Sequence, residues 1–145
     1  MTVITPKSEA AALTAGATEK LNTLEIKKNS VNSLIGLASV DNKALTESAR
    51  MVLVLSTRIA NTNMQHDPTG VYLRVIGTLP ILYQCGEYDL RIKRAEALRC
   101  YALSLTGGRM EEIPLERSPE GWRLAFDMAK LKHGPTPFFE LVTEK

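Results

Sequence analysis

Two histidines, two cysteines and sixteen carboxylates are the groups with which this 145-residue chain could do acid–base, nucleophilic or metal chemistry. Their spacing assembles none of it. His66 precedes Asp67-Pro-Thr-Gly70, a loop sequence, and a metal there would need further ligands at fixed offsets. Cys85 and Cys100 do not form a CxxC pair. No Ser, Thr or Cys stands in a pattern that supplies a base and an orienting carboxylate, and neither GxGxxG nor a P-loop is present. Glu111 and Glu112 are adjacent, so on a strand they point to opposite faces and cannot flank one bond. Glu87 and Asp89 share a face, but Arg91 and Lys93 share it too, which makes it a solvated, charged side. No catalytic residue, metal site or cofactor is expected.

What remains is the chemistry of recognition. Flat aromatic rings stack on the CH face of a sugar, while amides and charges bond its hydroxyls. Trp122, Tyr72, Tyr83 and Tyr88 are the candidate rings, with Arg58, Asn61 and Asn63 as candidate polar partners. Trp122 follows the turn Ser118-Pro-Glu-Gly121, and Arg58 to His66 is a polar run leaving an apolar strand. Against this, aromatics are only 6% of the chain, and Trp122, Phe126 and Phe138 have the character of core side chains.

The elements that must hold these residues are strands. Period-two stretches rich in Val, Ile, Leu, Tyr and Thr alternate with Gly, Pro, Asn and Asp. Strands are expected at 21–27, 31–40, 50–60, 71–76, 81–84, 87–93, 98–105, 109–116, 122–127 and 137–142. Thr106-Gly107-Gly108 closes one hairpin, and residues 124–132 have the composition of one short helix. The fold class is all-β, a sandwich of jelly-roll or immunoglobulin-like type with about ten strands. Residues 1–18 form a lead-in, as an edge strand or a short helix, and residues 19–145 form the sandwich of a single domain. Met51-Val-Leu-Val-Leu55 is apolar at both parities, so something is expected to pack against each side of that strand. The net charge of +2 makes nucleic acid and anionic membrane unexpected partners. No apolar run reaches the roughly 18 residues of a membrane span, and the N-terminus lacks the pattern of a secretory signal. A Cys85–Cys100 disulfide and structural calcium stay open.

A family resemblance sharpens this. Thr5-Pro-Lys-Ser-Glu-Ala10 resembles the "TPRSEA" that opens the C-terminal β-sandwich of many large bacterial glycoside hydrolases with a (β/α)8-type catalytic barrel. Ser39-Val-Asp-Asn-Lys-Ala-Leu-Thr-Glu-Ser48 is similar to their "SLDGKPL..S" turn. Arg50-Met-Val-Leu-Val-Leu-Ser-Thr57 with Asn61-Thr-Asn-Met64 resembles their strand and "NTGM" loop, with Asn63 in place of Gly. Leu79-Pro-Ile-Leu82, Tyr101-Ala-Leu-Ser-Leu-Thr-Gly-Gly-Arg109 and Pro137-Phe-Phe-Glu140 follow in order. The family's catalytic carboxylates belong to the barrel and have no counterpart here. The resemblance implies an accessory domain, extracellular or periplasmic if part of a secreted enzyme. Its expected function is that of a non-catalytic carbohydrate-binding module with a polysaccharide or oligosaccharide as ligand. The alternative is a structural domain that docks on a glycoside hydrolase catalytic domain, in cis or in trans, and holds no glycan.

Overall fold

In a computed structural model, which describes residues 1–144, every regular element but one is a β-strand. The chain runs through β1 (Thr2–Ile4), β2 (Ser8–Leu13), β3 (Glu19–Lys20), β4 (Leu24–Asn29), β5 (Ser33–Ser39) and β6 (Arg50–Ser56). Next come β7 (Ile59–Thr62), β8 (Gln65–His66), β9 (Leu73–Val75) and β10 (Thr78–Tyr83). The last six are β11 (Glu87–Ile92), β12 (Leu98–Leu103), β13 (Arg109–Ile113), β14 (Glu116–Ser118), β15 (Gly121–Asp127) and β16 (Phe138–Thr143). The exception is one 3-10 turn at Met128–Lys130, capped by the Asp127 carboxylate, which is all that forms of the helix expected at 124–132. Sixteen strands replace the expected ten because the lead-in forms β1 and β2, short pieces β3 and β8 pair at a sheet edge and in a ribbon, and the stretches 50–60 and 109–116 each split in two.

Seven strands, in the order β1-β2-β5-β6-β16-β12-β13, pack against five, in the order β14-β15-β11-β4-β3. All the pairings are antiparallel. The lead-in is therefore strand, with β1 at the edge and β2 one place inside it. Alternation decides what the sandwich encloses. From the large sheet Ala11, Ile35, Leu37, Met51, Leu53, Leu55, Cys100, Phe139 and Leu141 point inward. From the small sheet Leu24, Ile26, Tyr88, Leu90, Ile92 and Leu124 meet them. Burying a side chain of this size stabilises the fold by about 1.5–3 kcal/mol, so this layer dominates the folding energy. Both cysteines are free thiols, Cys100 within the core and Cys85 half-buried beside it. Burial pushes the Cys100 thiol far above its ordinary range.

Polar residues tie the layers together. Glu9 of β2 is buried, and its carboxylate accepts the N–H groups of Thr23 and Leu24 at 2.9 Å, stitching the large sheet to the start of β4. Asp41, in the β5–β6 connection, accepts from the hydroxyls of Ser48 at 2.7 Å and Ser39 at 2.9 Å and from Ala49 N–H at 2.8 Å. These donors, Ser48 first, hold its carboxyl far below the usual carboxylate range. The neighbouring Asn42 takes φ 63°, a left-handed turn position that Asn tolerates. Arg94, just after β11, is buried and reaches from the small sheet to the carbonyls of Leu45 at 2.6 Å and Ser48 at 2.9 Å. The Ser-x-Asp…Ser spacing is thus a loop lock.

Candidate functional site

Residues 57–84 depart from the sandwich. The stretch 50–60, expected as one strand, breaks after Ser56, and β7 begins at Ile59 in a separate two-stranded pairing with β10. β8 and β9 pair next along the chain, and Asp67-Pro-Thr-Gly70 closes the tip. There the Asp67 carboxylate accepts Thr69 Oγ1 at 2.6 Å and Tyr72 N–H at 3.0 Å. The two pairings form one β-arm. Its bend needs special backbone: Asn63 takes φ 60° and Gly77 φ +81°. A Cβ on Gly77 would collide with Thr62 O and stand 2.8 Å from Met64 N. The Asn61 side-chain amide bridges the arm to Ile76 O at 3.0 Å.

The arm is apolar and uncovered. Of the fifteen large apolar side chains that the described residues leave exposed, nine belong to it: Ile59, Val71, Tyr72, Leu73, Val75, Ile76, Leu79, Ile81 and Leu82. At its root, Ile59, Ile81, Leu82 and Tyr83 face Leu105, Pro135 and Pro137 across a groove of about 570 Å³. Pro137 is also where the large sheet resumes, since its carbonyl accepts Leu55 N–H at 2.8 Å.

The outward face of the large sheet carries further apolar side chains, half-buried rather than exposed. Register places Ala10, Gly36, Val54 and Phe138 in one cross-strand row. Ala38 and Val52 lie in the next, followed by Glu140 and Tyr101. Val54 and Val52 are the outward half of the two-sided apolar strand and are half-buried among these row neighbours. The polar member, Glu140, is only 2% exposed because Arg50 at 2.5 Å and Arg109 at 2.6 Å close over it. Arg109 also lies 4.3 Å above the Tyr101 ring. Burial alone would push the Glu140 carboxyl up, but the two guanidiniums outweigh it and hold it below its usual range.

The opposite face of the molecule is built otherwise. Lys28–Glu87, Arg123 with Asp89 and Glu116, and Arg91 with Glu25 and Glu120 make a ladder of ion pairs over the small sheet. Each exposed pair contributes little stability, but together they make this a surface content with water. The outward face of the small sheet is thus charged, whereas that of the large sheet mixes half-buried apolar side chains with the Arg50–Glu140–Arg109 cluster.

Five of the seven candidate sugar contacts, Arg58, Asn61, Asn63, Tyr72 and Tyr83, lie on the arm. Tyr72 is 72% exposed near the tip and has no ring beside it among the aromatic pairs of the described residues. Tyr83 is half-buried at the root, its hydroxyl bonded to Leu55 O. Tyr88 is 2% exposed inside the sandwich, 5.9 Å from Phe126, and offers no face to a ligand. Trp122 is on β15, half-buried, its indole N–H donated to Glu96 O at 2.8 Å and its ring under the Arg117 guanidinium at 4.9 Å. The four candidate rings therefore do not share one platform. Tyr88 misleads because a period-two strand gives no sign of which parity faces in until its partner sheet is known.

Among the described residues no cluster of three or more His, Cys, Asp or Glu side chains has metal-binding proximity. The apolar arm was legible only in part: residues 71–76 and 81–84 read as strands, the second starting three residues later than β10 does, and their weak alternation is the one signal that both faces of the ribbon are apolar. No protein-family model, curated protein or solved structure matches the chain.

Proposed function

We propose that this chain is a non-catalytic docking sandwich that packs its apolar face, root groove and arm on a partner protein, and that the partner is a (β/α)8-type glycoside hydrolase catalytic domain. The observation that carries this is the exposed apolar arm, from Ile59 through residues 71–76 to Leu79, Ile81 and Leu82, with the groove at its root; the half-buried Val52, Val54 and Phe138 add apolar side chains on the outward face of the large sheet. With roughly 100 Å² of apolar area per fully exposed side chain of this size, the nine arm residues alone present on the order of 500 Å². That equals the largest patch of a typical monomer. The sheet face and groove extend it toward the ~800 Å² per partner of a standard interface. The family resemblance of the motifs supplies the identity of the partner.

The test is to prepare the chain and a glycoside hydrolase catalytic domain from the same genome separately, and to titrate one with the other by calorimetry. Stoichiometric binding that V54D or I81D weakens at least tenfold is expected. In parallel, affinity electrophoresis against soluble plant, fungal and bacterial polysaccharides is expected to show no retardation. Retardation that W122A or Y72A abolishes, with the fold intact, would replace docking by carbohydrate binding.

A further inference from the structure

The chain has nine arginines, and seven of them are engaged. Arg50, Arg91, Arg94, Arg99, Arg109 and Arg123 pair with carboxylates. Arg117 stacks on Trp122 and donates to Arg94 O at 3.1 Å. Only Arg58 and Arg74 have neither an ion pair nor a side-chain hydrogen bond among the described residues. Both are exposed, and both stand on the apolar arm, Arg58 at its root and Arg74 toward its tip as the middle residue of β9. Seven strand positions separate Arg58 from Gln65, the arm residue opposite Val75, so the two guanidiniums bracket a shaft no longer than about 23 Å at ~3.3 Å per residue.

Resting on the docking reading above, we infer that the surface this arm meets is an apolar strip flanked by carboxylates that receive Arg58 and Arg74. A guanidinium left unpaired inside a closing apolar interface would lose hydration without compensation, whereas its fork matches a carboxylate with two parallel bonds. Charge therefore selects the partner. A second copy joined arm to arm would bring four unpaired guanidiniums into one contact. A bilayer would meet the arm's tip but not the groove at its root, where Ile59, Ile81 and Leu82 face Leu105 and Pro137.

The experiment uses the same isolated catalytic domain as probe. The wild-type chain is expected to bind it with an affinity that falls at least tenfold between 50 and 300 mM salt. R58Q/R74Q is expected to bind at least tenfold more weakly at low salt with most of that salt dependence gone, and R58K/R74K to fall between. Both positions are exposed, so folding is unaffected. Phenylglyoxal is expected to label Arg58 and Arg74 first in the free chain and to be excluded from both in the complex. Wild-type binding that R58Q/R74Q leaves unchanged in strength and salt slope overturns this inference and leaves docking standing. Absence of wild-type binding overturns both. Binding to phosphatidylserine vesicles in preference to the protein probe overturns the choice of a protein surface.

Discussion

Replacing Arg94 by Met keeps the length of a side chain that is 5% exposed and removes its hydrogen bonds. The structure sets the size of the effect. One guanidinium nitrogen donates to Leu45 O and Ser48 O. Bonds from a charged donor are worth about 1.5–3 kcal/mol each. The third contact, with Glu96, involves a carboxylate half in water and adds next to nothing. Met recovers some energy by packing where a charge was costly to bury. The expected net loss is about 3 kcal/mol, or roughly 10 °C in Tm at about 3–4 °C per kcal/mol for a domain of this size. Urea unfolding at neutral pH, followed by circular dichroism, measures it. Trp122 emission gives a local reading, because Arg94 O holds Arg117 over the indole. R94K should lose an intermediate amount, since an ammonium is a point charge without the guanidinium's fork. A loss below about 1 kcal/mol for R94M, within the range of ordinary surface changes, would refute the idea that this arginine locks the β5–β6 loop to the small sheet.

The Glu140 cluster predicts a pH dependence. Its carboxyl is held below its usual range, so its stabilisation is fully present above the unfolded value of about 4.3 and is lost as pH falls through the lower folded value. E140Q should therefore be less stable than wild type at pH 7, by about 1–2 kcal/mol given that both arginines are half in water, and the gap should close toward pH 3. A gap that is constant from pH 7 to pH 3 would rule out the ion pairs as its source. Gly77 predicts a local effect. G77A adds a Cβ that meets Thr62 O and Met64 N at a positive φ, which should open the arm while costing the sandwich at most about 1 kcal/mol. Hydrogen exchange is the measurement, with faster exchange expected at Met64 and Gln84 and unchanged exchange at Leu53 and Leu90. Equal protection along the arm in both proteins would show that the bend tolerates a side chain.

The sandwich was readable because its strands alternate cleanly. Glu87 to Ile92 and Leu98 to Leu103 fall close to where their patterns put them, and the hairpin at Thr106-Gly107-Gly108 lies between β12 and β13. Left-handed turn positions were half-visible: Asn63 sits in a polar loop run, and its φ of 60° is one that Asn tolerates and Gly favours. The sheet partners of each strand were not readable, since pairing such as β6 with β16 joins residues nearly ninety positions apart. That hid which ring of Tyr83, Tyr88 and Trp122 faced water. The most informative signal lay elsewhere, in the doubly apolar stretch Met51–Leu55. Two-sided burial was expected there, yet the fold buries only Met51, Leu53 and Leu55 and leaves Val52 and Val54 half-open. A sheet whose outward side meets only water has no physical need for Val at those positions, as the ion-paired small sheet demonstrates in the same molecule. The mismatch between a strand patterned for two covers and the one cover that the described residues supply is what favours the docking proposal, and the exposed apolar arm that follows Ser56 adds to it.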